Sequence, residues 1–165
     1  VQAEAARGRL SAVIVGSIET PAVQDQLDSL PPFDVVMCCA TIVCIVDPWT
    51  LLKRIQRWIA PGGKLLITCA NVAHWSIRRD LLRGRWDYQE YGVLDIIALR
   101  FFTVHSFRRS LEQAGYRITD FDAEFYDGGP RVVLRQRGLK KLERWYVQRF
   151  AGFFAIQFMY EAVVG

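Results

Sequence analysis

Two short stretches hold the side chains best suited to chemistry. In Asn71-Val72-Ala73-His74-Trp75 an imidazole that titrates near neutral pH follows a carboxamide able to orient a hydroxyl group, with an indole beside it. His74 is therefore a candidate base, Asn71 a candidate orienting group and Trp75 a candidate substrate contact. The competing reading of His74 is a helix cap, or a ring packed beside Trp75. Further along, Arg100 offers a planar guanidinium suited either to an acidic or phosphorylated substrate or to a structural ion pair with Asp95. Phe101 and Phe102 read as core rather than as a substrate platform, and His105 as an exposed residue in the first turn of a helix. The four cysteines, Cys38, Cys39, Cys44 and Cys69, sit in apolar runs with no Cys-x-x-Cys pair and no histidine at ligand spacing. They read as buried, reduced thiols of a cytosolic protein, and no metal site is expected.

The elements that must position these groups follow from periodicity. Leu10 to Ile18 and Phe33 to Thr41 are β-branched, non-alternating runs that read as strands buried on two faces. Asp47-Pro48 is an N-cap followed by proline at the first helical position, with Leu51, Leu52, Ile55, Trp58 and Ile59 at helical spacing. Pro61-Gly62-Gly63 ends that helix and Lys64 to Cys69 forms the next strand, completing a βαβ unit whose last strand delivers Asn71 to Trp75. A helix around Ser76 to Arg83 and an irregular aromatic segment to Thr103 follow. Thr103 then caps a helix carrying Phe107, Leu111 and Ala114, which Gly115 ends. Tyr116 to Tyr126 alternates as a strand nearer an edge; Leu139 to Phe153 has helical spacing, and Phe154 to Val164 favours a final strand. The alternation of strands and helices points to an α/β doubly wound sheet, with ligands beyond the carboxyl ends of the strands.

Composition sets the bounds. A length of 165 residues, 52% hydrophobic and 23% charged, suits one domain with its own core and excludes disorder, a coiled coil and a disulfide-stapled mini-protein. The longest uncharged apolar stretch, Val35 to Val46, falls short of the roughly 20 residues of a membrane span, and no secretory signal is found. The net charge of +4 reads as solvated helix faces, and no nucleic acid partner is expected. The chain starts at Val1 rather than Met, which suggests a processed or truncated polypeptide.

Four segments carry a resemblance. FDVV at 33–36, DPWTLLKRIQRWIAPGGKLLIT at 47–68, NVAHWSIRRDLLRGRWDY at 71–88 and LRFFTVHSFRRSLEQAGY at 99–116 together resemble class I S-adenosylmethionine-dependent methyltransferases. They look most like a bacterial subgroup associated with surface-polysaccharide and glycosyl-transfer functions. The resemblance covers residues 8–126 and, more weakly, FFAIQF at 153–158. It implies a Rossmann-like α/β sheet, mostly parallel with an antiparallel last strand. It also implies one incomplete domain, with 127–165 supplying a C-terminal helix and the final strand. In that frame Leu10 to Ile18 is the family's third strand, Phe33 to Thr41 its fourth and Lys64 to Cys69 its fifth. The first two strands and the glycine-rich loop that holds the cofactor's methionine portion have no counterpart in the chain.

The resemblance also marks remnant cofactor positions. Gly16-Ser17-Ile18 stands where relatives have Gly-Asp-Ile, whose Asp takes the adenine amino group. Ala40, Val43 and Cys44 stand where relatives carry an acidic residue and then a Glu-His pair, and Cys39 beside Ala40 counts among the remnant cofactor positions. Asp95-Ile96-Ile97-Ala98 replaces Asp-Arg-Thr-His. Methyl transfer needs an aligned nucleophile, often with a base near its proton, and these ligand-face positions have become apolar or small.

The expectation is therefore the C-terminal portion of a methyltransferase, inactive as this chain, with S-adenosylmethionine as the implied cofactor. Completed, it would methylate an oxygen of a small molecule or glycan; the alternative is a non-catalytic, methyltransferase-like scaffold acting in assembly or protein interaction. Without the first two strands the third has no neighbour and the fourth has an open edge, so either the third moves beside the fourth or two chains pair into a homo-oligomer. Leu139 to Tyr160, basic and aromatic, reads as packing against the sheet rather than as a peripheral membrane contact. A cytoplasmic location is expected.

Overall fold

The structure, a computed structural model, describes residues 2–125 and 130–165. In chain order the elements are α1 (Gln2–Arg7), α2 (Pro21–Asp28), β1 (Phe33–Cys38), α3 (Pro48–Ile55), β2 (Ile59–Ala70), α4 (Trp75–Leu82), α5 (Val104–Gln113), β3 (Tyr116–Phe125), α6 (Pro130–Gln136), α7 (Lys140–Phe154) and β4 (Ala155–Val164). The four strands form one sheet in the order β1-β2-β4-β3. β1 runs parallel to β2, and β4 runs antiparallel to both of its neighbours. Three strands thus point one way and the last points the other, as expected.

The alternation of β2 decides which face is covered. Leu65, Ile67 and Cys69 are fully buried and lie opposite Ala162, Tyr160 and Phe158 of β4; Tyr160 and Phe158 in turn pair with Phe121 and Ala123 of β3. Onto this face pack Leu52 and Ile55 of α3, Phe107 and Leu111 of α5, and Val147 and Ala151 of α7, in one core cluster. Two buried phenols lock the layers, Tyr116 donating to the Leu52 carbonyl and Tyr160 to that of Val104, both at 2.9 Å. The other face is wetter: Lys64 pairs with Glu161 at 2.9 Å, and Met37 and Met159 are exposed.

Local signals behave as their physics requires. The Asp47 carboxylate accepts from the Thr50 amide at 3.1 Å ahead of Pro48, and Thr103 and Ser106 form a reciprocal capping box at the start of α5. α3 ends earlier than its spacing suggests, tightening into a 3-10 turn over Gln56–Trp58. At Gly63 an added Cβ would lie 2.9 Å from the Ala60 and Asp34 carbonyl oxygens, so only glycine fits where β2 joins β1.

Three expectations are corrected. Leu10 to Ile18 forms no strand; it is irregular chain with bends at Leu10, Ser11 and Gly16, Leu10 and Val15 are exposed, and it does not pair with the edge strand β1. β1 is not buried on two faces. It is the sheet's edge, and Phe33, Val35 and Met37 face solvent. Cys39 is likewise exposed and Cys38 and Cys44 are half-buried, leaving Cys69 alone as a buried thiol. Tyr126, placed by its alternation at the end of a strand, lies outside the described residues. α2 escaped the periodicity reading although Thr20-Pro21 marks its start, since only Val23 on it is buried.

Candidate functional site

Where β1 and β2 end, the chain encloses a cavity of about 530 Å³. Its walls come from four places: Ala40, Val43 and Cys44 after β1; Ala70 at the end of β2 and His74 beyond it; Ser76, Ile77 and Asp80 on α4; and the loop from Gln89 to Ala98. Ile156 and Gln157 of β4 close it. The carboxyl ends of adjacent parallel strands supply such a crevice because their connections diverge there. Two backbone bonds to one carbonyl hold the long loop in place: the Leu99 and Arg100 amides donate to Val43 at 2.8 and 2.9 Å. At the floor, Ala40 has a φ of 54°, a left-handed conformation held by its amide donating to Thr68 Oγ1 at 2.9 Å. That conformation costs a residue with a Cβ about 1–2 kcal/mol.

His74 is the buried titratable group of this cavity. It caps α4, its Nδ1 accepting from the Ser76 amide at 3.4 Å and lying 2.8 Å from Ser76 Oγ. Burial lowers its pKa from the ordinary imidazole value, and a hydrogen bond with the backbone of Phe154 pushes the other way. The ring faces a hydroxyl and caps α4, the role weighed in the sequence against that of a base. Asp80 and Asp95 line the cavity, Asp80 paired with Arg79 at 3.0 Å, and no Lys or Arg stands among the described residues of its walls. Cys44 has its thiol pKa raised, first by burial and then by Asp95.

The other sequence candidates fall elsewhere. Asn71 is fully buried with its carboxamide committed to the fold: Nδ2 donates to the carbonyls of Ala151 at 3.2 Å and Ala155 at 2.8 Å, and Oδ1 accepts from the Ala73 amide at 3.1 Å. It pins the end of β2 to the α7–β4 junction. Trp75 lies outside the cavity wall, its ring covered by the Arg79 guanidinium at 5.1 Å. Arg100 makes no ion pair with Asp95. It donates from Nε and Nη2 to the Val46 carbonyl at 3.0 and 2.5 Å and lies over Trp49 at 5.6 Å, so it clamps the loop. Asp95 instead accepts from the Ile97 amide at 3.0 Å. Of the remnant cofactor positions, Ala40 borders the cavity, whereas Gly16, Ser17, Ile18 and Cys39 do not. The Ser17 hydroxyl accepts from the Glu19 amide and Ile18 packs against the core. Sequence reading missed Ser76, Asp80 and Gln89 as cavity residues; the helical offset of Ser76 and Asp80, four residues apart on α4, was the available signal.

A second hollow of about 410 Å³ lies between α6 and the β3–β4 ladder. It is bordered by Arg131, whose guanidinium is held by Asp122, Glu143 and the Ala123 carbonyl.

Comparison with known proteins gives the geometry a context. The family described as a methyltransferase domain matches residues 4–120. A SAM-dependent methyltransferase from Thermotoga maritima, titled a possible histamine N-methyltransferase, superposes with a TM-score of 0.56 at 18% identity, over 99% of this chain and 69% of that one. A SAM-dependent methyltransferase from Archaeoglobus fulgidus gives 0.53 at 15% identity, over 94% and 68%. One from Clostridium acetobutylicum gives 0.53 at 12%, over 98% and 68%. No curated protein matches the chain in sequence.

Proposed function

Since the chain belongs to the methyltransferase domain family, we propose that it is the C-terminal portion of an S-adenosylmethionine-dependent methyltransferase, forming the acceptor side of the site, and that it transfers no methyl group by itself. The observation that carries this reading is the make-up of the cavity at the ends of β1 and β2. It lies where ligands bind in such sheets, yet the turn after β1 presents Ala40, Val43 and Cys44. By the resemblance relatives carry an acidic residue and a Glu-His pair at that turn, and two methyl-bearing walls and a thiol offer a cofactor's polar groups no comparable partners. The family implies S-adenosylmethionine, but these residues do not fit it unaided.

The same walls speak for the acceptor. Asp95 disfavours an anionic group, Arg79 is taken up by the Asp80 carboxylate, and Arg100 is turned away to the Val46 carbonyl, so a phosphorylated acceptor meets no free counter-charge among the described lining residues. A neutral hydroxyl of a small molecule or glycan suits it, with the His74–Ser76 pair as a hydrogen-bonding contact. Calorimetry of this chain with S-adenosylmethionine tests the proposal. Heats indistinguishable from dilution at millimolar cofactor are expected, and micromolar binding overturns it.

A second reading, a non-catalytic scaffold, draws on the open edge of β1. Its Phe33, Val35 and Met37 are 39%, 48% and 64% exposed, an apolar strand with unpaired backbone groups.

A further inference from the structure

Helices α4 and α7 each carry bulky apolar and cationic residues on the side facing away from the core. On α4, Trp75, Arg78, Arg79 and Leu82 recur at the spacing of one helical face, and Leu82 is 89% exposed. On α7, Leu142, Trp145, Arg149 and Phe153 do the same, while Val147 and Ala151 point to the core; Trp145 is 55% exposed. The two faces meet where the Arg78 guanidinium lies over the Phe153 ring at 5.4 Å. Arg79 over Trp75 and Arg149 over Phe150, at 5.6 Å, repeat the same cation-on-ring arrangement. The patch is continuous across both helices.

Its charge is one-sided. The acids of these two helices are both engaged, Asp80 with Arg79 and Arg83, and Glu143 with Arg131. Arg78, Arg149, Lys140 and Lys141 have no carboxylate partner among the described residues. No helix among the described residues is long and apolar enough to cross a membrane.

We infer that this α4–α7 face is a docking surface for an anionic lipid bilayer, lying on the headgroups without spanning them. Two features choose this occupant. The cations without a carboxylate partner call for a polyanionic surface, Arg78 keeping its charge uncompensated although its Nε donates to the Ala73 carbonyl at 2.6 Å. The protruding Leu82 and Leu142, which give nothing to a phosphate and offer a nucleic acid no ring to stack on, gain with Trp145 by entering the acyl boundary. The arrangement also bears on the cavity, because Ser76, Ile77 and Asp80 line it from the other side of α4. A chain seated this way holds the cavity one helix away from the membrane surface. The inference stands whether or not the methyltransferase reading does, since it rests on residues outside the cavity.

Co-sedimentation of the whole chain with vesicles tests it. Phosphatidylcholine vesicles containing phosphatidylserine at about 7:3 should bind the chain, phosphatidylcholine alone should not, and half-molar salt should release it. Arg78→Gln and Arg149→Gln should each weaken binding about fivefold, the effect of one cation near such a surface. Leu82→Ser with Trp145→Ser should weaken binding even at low salt; both side chains are exposed, and an unchanged circular dichroism spectrum certifies the fold. Binding that ignores phosphatidylserine overturns the proposal. So does a chain that captures single-stranded RNA but no vesicle, or a Leu82/Trp145 variant that binds as well as the parent.

Discussion

Replacing Asn71 separates a structural pin from a substrate-orienting group. In Asn71→Ala the Ala73 amide and the Ala155 carbonyl lose their side-chain partner, whereas the Ala151 carbonyl keeps the Ala155 amide. Asn71 is fully buried, so water does not replace what is lost. At about 1–3 kcal/mol for each abandoned group the variant loses about 2–6 kcal/mol, a large part of the 5–15 kcal/mol typical of a domain. At about 2–4 °C per kcal/mol, thermal unfolding should fall by roughly 10 °C.

Asn71→Asp adds a pH signature. The introduced carboxyl faces two carbonyl oxygens and is favoured protonated in the folded state, so its folded pKa lies above the unfolded value of about 3.9. The variant should therefore approach the parent at and below about pH 4 and lose stability as pH rises through the folded value. Urea titrations followed by circular dichroism at pH 4 and pH 7 read both effects. A substrate-orienting residue would leave stability within about 0.5 kcal/mol of the parent; that result for Asn71→Ala, or a pH-independent deficit for Asn71→Asp, would refute the pinning role.

Two further outcomes follow from the same structure. Because burial lowers the His74 pKa, the unfolded chain takes up a proton on this residue first. Stability is full above about pH 6.5 and declines as pH falls toward the folded value. His74→Gln should flatten that decline between pH 7.5 and 5 in denaturant titrations, and identical slopes in both proteins contradict it. If the open β1 edge is the working surface of a scaffold, light scattering should find a dimer that Val35→Lys and Met37→Lys dissolve. A monomer at every concentration the chain tolerates removes that reading.

Much of this protein was legible one residue at a time. Asp47-Pro48 and Thr103 announce helix starts because a cap is a contact within four residues, and the strand character of Lys64 to Cys69 lies in its own run of apolar side chains. The segments around NVAHW and LRFFT carried the family as well, since their residue types and order survive without any contact being known. Leu10 to Ile18 shows the limit. Its composition is that of a strand, yet it leaves the edge of β1 unpaired, because pairing is settled by where the chain is carried and not by the run's own composition.

The roles of the candidate residues belong to tertiary structure for the same reason. Asn71 and His74 are neighbours in the same short stretch, yet one is consumed by the carbonyls of Ala151 and Ala155 while the other borders the cavity. Arg100 looks like an anion receptor until Val46, 54 residues earlier, takes its guanidinium. By itself the sequence determined which groups were present and which helices and strands they favoured, because those are local energies. Which group meets ligand, solvent or backbone was decided only when distant segments closed on one another, because burial and partnership are properties of the packed chain.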